Sequence, residues 1–395
     1  MRRIGYVFER FPSFGQTFCY REVAELDRQG IEVTVFSLRK PSGEPRQDWD
    51  ERIVRKIHYL PAETELVKEV GRAIRRRGFP VEAVSAITGW GRKSDFLRLY
   101  QAAYIGWRLR EVSVTRVHAH FAGMAARTAY WIKQFFGIQY SVTAHANDIF
   151  APSDFVVSLA DVVDAAAAVI AVSDFAASRL RGQFPESAPK IHRVYNGVDL
   201  PATDGAHSSA DPPLILSVGR LIEKKGFGNL INACALLNSQ GQKFRCEIIG
   251  DGPLEPTLLA QIDEAQLHNV VELLGPRTQR EIAERLRTAT MFVLACTTEA
   301  GGGMDNLPTV IMEAMAAGLP VISTPIAGLP EMVEPGATGD LVPEGNASAL
   351  ANAIARLLGD PGTAARLGAC GRAVAAERFS IESNVRQLLR VLDRQ

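Results

Sequence analysis

Cysteine is scarce and unpaired in this sequence. Its five residues, Cys19, Cys234, Cys246, Cys296 and Cys370, are scattered over 395 positions with no recurring spacing. Most fall in apolar or alternating runs such as Phe244-Arg245-Cys246-Glu247-Ile248. That excludes a disulfide framework or a cysteine-based metal cluster and fits the reduced core thiols of a cytoplasmic protein. Long hydrophobic runs are missing too. No stretch approaches ~20 apolar residues, and the opening run is cut short by Glu9 and Arg10, so neither a membrane span nor a secretory leader is expected. Net charge is zero, with 44 Lys and Arg against 44 Asp and Glu, which argues against a dedicated nucleic-acid binder. The dinucleotide fingerprint G-x-G-x-x-G does not follow the first strand.

What is present is a rhythm. Short β-branched runs alternate with longer helical patterns, implying βα units and parallel sheets covered on both faces. In the first half the spacing predicts a strand at Ile4–Phe8, a loop through Phe11–Gln16, a helix to Gln29 closed by Gly30, and a strand at Ile31–Leu38. Further strands are expected at Arg116–His118, Tyr140–Thr143, Ala168–Val172 and Lys190–Val194, with Ser173 as a helix N-cap. The second half repeats the theme at Leu214–Val218, Cys246–Ile249, Val270–Leu274, Met291–Ala295 and Pro320–Ser323. Between the halves, Asp199–Pro213 has a linker's composition. Two Rossmann-like α/β domains therefore face a central cleft: residues 1–198, a linker at 199–213, and residues 214–377. Open sheets of this kind bind ligands at their carboxyl ends. A final helix is expected around Ser380–Leu392, with Ile381, Val385, Leu388, Leu389 and Leu392 at helical spacing.

Charge is uneven. Residues 1–120 hold 22 Lys and Arg against 15 Asp and Glu. Residues 47–93 predict a helix with Val67, Val70 and Ile74 on one face and Arg72, Arg75, Arg76 and Arg77 nearby. Such a surface is either simply solvated or able to approach anionic lipid.

The richest segment runs from Thr298 to Gly318, where a buried strand enters the glycine-rich loop Gly301-Gly302-Gly303 and then a helix. Pro308 fits the first helical position and Gly318 closes the helix. Loop glycines let backbone N–H groups approach a ligand, and the helix N-terminus favours an anion. Asp305 precedes the helix and Glu313 lies inside it, so both carboxylates can border one cavity and accept paired hydrogen bonds from sugar hydroxyls. A plain N-cap and a solvated helix carboxylate would look the same locally. Upstream, Ser217-Val218-Gly219-Arg220-Leu221-Ile222-Glu223-Lys224-Lys225-Gly226 places Arg220 after a strand and Lys225 before a helix. Two fixed cations there can bind a diphosphate and stabilise charge growing on a leaving nucleotide.

These segments resemble retaining glycosyltransferase family 4. Asp305 to Glu313, continued by Glu313-Ala314-Met315-Ala316-Ala317-Gly318, is similar to its E-x7-E signature, with Asp for the first Glu and Asn306 where Gly is usual. The resemblance implies that Glu313 binds the donor ribose. It also implies that Asp305, with Gly303, Asn306 and Leu307 beside it, faces the donor sugar. Gly219-Arg220-Leu221 with Lys225-Gly226 resembles the element that holds the donor pyrophosphate, and Gly250-Asp251-Gly252-Pro253 resembles the turn beside the base. Asn196-Gly197-Val198-Asp199 is similar to the family's entry into the linker. The implied fold is of GT-B type, with residues 378–395 crossing back to the first domain.

The first half is thinner. Phe11-Pro12-Ser13-Phe14-Gly15-Gln16-Thr17-Phe18 resembles a loop of exopolysaccharide transferases like those of colanic acid synthesis, with Gly15 near the cleft against acceptor or donor phosphate. His118 and His120, in Val117-His118-Ala119-His120, are either satisfied core residues or functional ones; if functional, His120 best matches the family's acceptor-side histidine and His118 supports the fold. Thr143-Ala144-His145-Ala146-Asn147-Asp148 resembles another strand-end segment, with His145 at the cleft or in the core. His118, His120, His145 and Asp148 also suit zinc by spacing, but no Cys or third His lies close in sequence and the family needs no metal. The implied activity is transfer from an NDP-sugar to an acceptor hydroxyl with retention, without metal or cofactor. Arg220, Lys225 and His120 are then the catalytic groups. The resemblance and the basic first half imply a saccharide or lipid-linked acceptor, met by a cytoplasmic protein that is either free or peripheral at the inner face of a membrane. The competing readings are an epimerase or hydrolase on the same fold and a silent nucleotide-sugar-binding subunit.

Overall fold

The computed structural model describes residues 3–78, 96–150, 155–201 and 210–394. Among these, a seven-stranded and a six-stranded sheet form, both wholly parallel. The first contains β1 (Arg3–Arg10), β2 (Glu32–Arg39), β3 (Ile57–Tyr59), β4 (Arg116–His120), β5 (Gln139–Ala144), β6 (Ala168–Ala171) and β7 (Ile191–Arg193), in spatial order 3-2-1-4-5-6-7. The second contains β8 (Leu214–Val218), β9 (Arg245–Ile249), β10 (Val271–Gly275), β11 (Met291–Val293), β12 (Val321–Ser323) and β13 (Gly339–Leu341), in order 10-9-8-11-12-13. Strands covered on both faces must be apolar at consecutive positions, and every residue of β6 and β8 is buried. In each sheet the order reverses beside the first strand, between β1 and β4 and between β8 and β11. That is where a doubly wound sheet opens a ligand crevice.

Seven helices matter below: α1 (Thr17–Arg28), α2 (Glu63–Arg77), α3 (Asp174–Gln183), α4 (Gln279–Thr288), α5 (Thr309–Ala316), α6 (Pro361–Arg378) and α7 (Ile381–Asp393). Ser173 caps α3 by accepting from Ala176 N, as its position in the sequence predicts. The buried face of α2 differs from the expected one. Leu66 and Val70 pack inward, whereas Val67 and Ile74 are 40% and 38% exposed. A 3.6-residue period aligns 66 with 70, and 67 falls about 100° away. Of the 47–93 region, residues 79–95 lie outside the described set. Among the described residues, no helix is long and apolar enough to cross a membrane.

The chain crosses from one sheet to the other twice, and the crossings touch. Val198 N donates to Phe379 O at 2.8 Å and Ile381 N to Val198 O at 3.0 Å. Gly197 makes this possible, since any Cβ there would collide with the Ile381 backbone. After the return crossing, α7 buries Ile381, Val385, Leu388, Leu389 and Leu392 in the same core as Ile4, Tyr6 and Val23 of the first half. Each such side chain contributes ~1.5–3 kcal/mol of burial, so the C-terminus is bound firmly to the N-terminal sheet. Of the expected linker, residues 202–209 lie outside the described set.

Candidate active site

A cavity of about 550 Å³ opens between the halves, lined by the loops that follow β1, β5, β8 and β9 together with the start of α5. Its second-half wall carries four basic residues beside the carboxylates of Asp251, Asp305 and Glu313. Arg220, Lys224, Lys225 and Arg277 all line it. The turn carrying Arg220 is clamped from below, because Leu221 N donates to Asp251 O at 2.7 Å and Gly219 N to Ile249 O at 2.9 Å. That packing needs Gly250 (φ 147°) and Gly252 (φ 156°), where a Cβ would strike the carbonyls of Gly219 and Leu221.

Lys225 pairs with Asp305, and Lys224 lies 3.8 Å from the same carboxylate. Burial works against the Lys225 ammonium, but Asp305 outweighs it, with Cys296 adding to the effect, and holds the group above the ordinary lysine range. Glu313, on α5, is 10% exposed and accepts from Arg21 Nη1 of α1 at 2.8 Å, across the cleft. Arg21 also bonds Gln279 at the start of α4 and lies 3.5 Å from Asp199. Asn306 is buried. Its Oδ1 accepts from Ser173 Oγ at 2.8 Å, a second bond between halves, while its Nδ2 has no protein partner among the described residues. Leu307 and Pro308 complete this wall. Pro308 occupies the N-cap rather than the first helical position, which falls to Thr309.

The cavity thus gathers Arg220, Lys225, Asp305, Asn306, Leu307, Glu313, Gly15 and Gly250, and leaves three expected residues outside. Gly303 closes a tight turn with Glu299, whose N donates to Gly303 O at 2.8 Å. Gly252 serves the packing beneath Arg220. His120 is 1% exposed and sits behind His145, which lines the cavity in its place. An H-x-H pair on a strand end does not tell by itself how far the next strand's loop folds over it.

The first-half wall is built on Phe11, which is buried and stacks on Phe8 at 4.3 Å. Glu44 then holds the loop, accepting from Phe14 N at 2.7 Å and Ser13 Oγ at 3.1 Å. Gly15 is exposed, with nothing within 4 Å of a Cβ built on it. Gln47 reaches over the cleft and accepts from Gln279 N at 2.8 Å. Behind this wall lies a chain of bonds. Tyr6 donates to Glu22 at 2.7 Å, His120 Nε2 lies 3.0 Å from Glu22 Oε1, and His120 Nδ1 lies 3.2 Å from His145 Nε2. Glu22, His118 and His120 lie close enough together to suggest a metal site. The ring nitrogens of His118, however, are engaged by Ser141 at 2.8 Å and Thr143 at 3.0 Å, and Glu22 Oε1 already has Tyr6 and His120.

Sequence reasoning missed Arg21, Glu22, Gln47 and Arg277. Arg21 and Glu22 follow the recognised loop by one helical turn. Their inward charges on an otherwise amphipathic helix were the available signal.

The comparisons with known proteins agree with this layout. Residues 15–201 match the family described as Glycosyltransferase Family 4, and residues 204–374 match Glycosyl transferases group 1. The putative colanic acid biosynthesis glycosyltransferase WcaL of Salmonella typhimurium is 31% identical over 369 residues, covering 89% of this chain and 90% of that protein. The amylovoran biosynthesis glycosyltransferase AmsK of Erwinia amylovora is 39% identical over 212 residues, covering 52% of this chain and 51% of AmsK. The crystal structure of Anabaena HepE in complex with UDP shares the fold over 100% of both chains, with a TM-score of 0.72 at 18% identity. The chain belongs to the glycosyltransferases, with a Family 4 first half and a group 1 second half of GT-B architecture.

Proposed function

We propose that this enzyme moves a sugar from an NDP-sugar to an acceptor hydroxyl with retention of anomeric configuration and without a metal. One observation carries the reading: Arg220, Lys224, Lys225 and Glu313 converge on a single cavity that the other half closes with its Phe14–Phe18 loop and His145. Fixed cations suit a diphosphate, and a helix carboxylate suits ribose hydroxyls. In this reading Arg220 and Lys225 hold the diphosphate, and Glu313 exchanges Arg21 for the ribose. Asp305, Asn306 and Leu307 face the sugar, Gly250 floors the base, and Gly15 leaves room beside the phosphate or acceptor. The acceptor oxygen bonds to the anomeric carbon as the diphosphate oxygen leaves from the same face and takes the acceptor's proton. Asp305 and Glu313 are each tied to a cation, which suits hydroxyl binding better than covalent attack.

Relatives named for colanic acid and amylovoran biosynthesis support a lipid-linked saccharide acceptor in exopolysaccharide synthesis. UDP in HepE supports a nucleotide-sugar donor. The exposed Val67 and Ile74 of α2, beside Lys68, Arg72 and Arg75, support contact with the inner face of a membrane. Labelled NDP-sugars incubated with saccharide acceptors in excess chelator test the reaction. Sugar joined to the acceptor with its anomeric configuration kept is expected. Isomerised or free sugar, or binding alone, would instead favour the epimerase, hydrolase or silent-subunit readings.

A further inference from the structure

His120 and His145 face each other through ring nitrogens 3.2 Å apart, so one proton lies between them. Glu22 accepts at His120 Nε2, which must therefore carry a hydrogen. Two arrangements remain. If His120 is an imidazolium, its Nδ1–H donates to His145 Nε2, and the neutral His145 carries its own hydrogen on Nδ1. If His120 is neutral, its bare Nδ1 accepts from His145 Nε2–H, and His145 Nδ1 becomes an acceptor. His145 lines the cavity, and the nitrogen it turns to His120 is Nε2, which leaves Nδ1 as its other polar atom. The charge on His120 thus decides whether His145 offers the cavity a hydrogen or a lone pair.

We propose that Glu22 is a positioning residue which, by keeping His120 an imidazolium, fixes His145 as a neutral Nδ1–H donor toward the reacting oxygens. His145 then cannot act as a base at that nitrogen. The surroundings agree. The groups facing the pair are Glu22 and Cys19 on α1, Tyr6 on β1, His118 on β4, and Asp148 just beyond His145. Burial opposes the His120 charge, but the Cys19 sulfur and the Glu22 carboxylate overcome it and hold His120 at about 10. Burial pushes the Cys19 thiol up, and the carboxylate seated on His120 Nε2 is Glu22, with Asp148, raised by burial to about 6, as a second carboxylate nearby. Burial and the neighbouring His120 charge hold His145 well below 6.5 and His118 down at about 3, both neutral. One positive charge is shared by no other ring of the three.

The kinetic part of this inference rests on the transfer reading above; the proton positions do not. The test is long-range ¹H–¹⁵N spectroscopy of the full ¹⁵N-histidine-labelled chain, assigned with single-histidine variants. An imidazolium at His120 at pH 7 and a protonated Nδ1 with bare Nε2 at His145 are expected. Glu22→Gln still accepts from His120 but carries no charge, so it should move the His145 hydrogen to Nε2. It should also lower kcat by about 10², the scale for losing one aligned donor, with the KM for nucleotide sugar little changed. Glu22→Asp should restore much of the loss. His145→Asn, whose amide can stand at Nδ1, should outperform His145→Gln, whose amide stands at Nε2. A neutral His120 or an Nε2-protonated His145 in the wild-type protein would overturn the proposal whatever the activity. Unchanged kcat in a folded Glu22→Gln would overturn its catalytic part.

Discussion

At the scale of single residues, charge placed at a strand end matters more than charge count. Arg220 is exposed into the cavity and bears little of the fold, so Arg220→Ala should lower turnover by about 10²–10³ while the melting temperature stays put. A loss of both would mean that its role is structural. The buried histidine cluster predicts how stability follows pH. His120 has a folded-state value of about 10 against an ordinary 6.5. Its contribution is therefore fully present below about 6.5 and is lost as pH rises toward 10. Glu22 is lowered, burial notwithstanding, by His120 and by hydrogen bonds from His120 and Tyr6, so its share is present above the ordinary carboxylate value and lost on acidification. His118, neutral when folded and lowered to about 3, costs stability as pH falls below 6.5. Denaturant titrations across pH should show all three limbs, and Glu22→Gln should flatten the alkaline one. At this scale much was legible in the sequence, because Arg220, Lys225, Asp305 and Glu313 sit at strand ends and a helix start with telling neighbours. Whether His120 or His145 lines the cleft was left open by the sequence, since which of two strand-end imidazoles reaches it depends on the loop above them; the structure has His145 there.

Among the elements, β1, β2, α1 and α7 announced themselves through periodicity, whereas the helices Phe96–Glu111, Met124–Phe136 and Pro361–Arg378 were not placed. Of the three-residue strands, β7, β11 and β12 lie within longer apolar runs and were expected, whereas β3 and β13 escaped. The α2 face was misread by one position, because adjacent apolar residues offered two overlapping stripes. The amphipathic pattern of α7 was legible, and the structure supplies its partner, the first-half core. Leu388→Ala should lower stability by about 2–5 kcal/mol and disturb the N-terminal sheet. Hydrogen exchange confined to the second half would contradict that packing.

At the scale of the whole molecule, polar bridges span the cleft between the two halves, among them Arg21 to Glu313 and Gln279, Gln279 N to Gln47, Ser173 to Asn306, and Glu331, which accepts from Asp174 N and Phe175 N at 2.8 Å. In the proposed reading, a donor that displaces Arg21 from Glu313 resets this balance. If the basic α2 surface meets the membrane, the protein should sediment with anionic vesicles, release with salt over the range where the Debye length falls below ~10 Å, and ignore zwitterionic ones. Equal sedimentation with both would remove that surface from the account. The central claim is that one inter-lobe cavity holds a nucleoside diphosphate on Arg220, Lys225 and Glu313. Calorimetric titration of UDP and GDP in chelator, into the wild-type protein and into folded Arg220→Ala and Glu313→Ala, tests it most directly. One nucleotide should bind the wild-type protein and each variant should weaken it at least about tenfold, a loss of ~1.4 kcal/mol; equal binding by all three proteins would contradict the account.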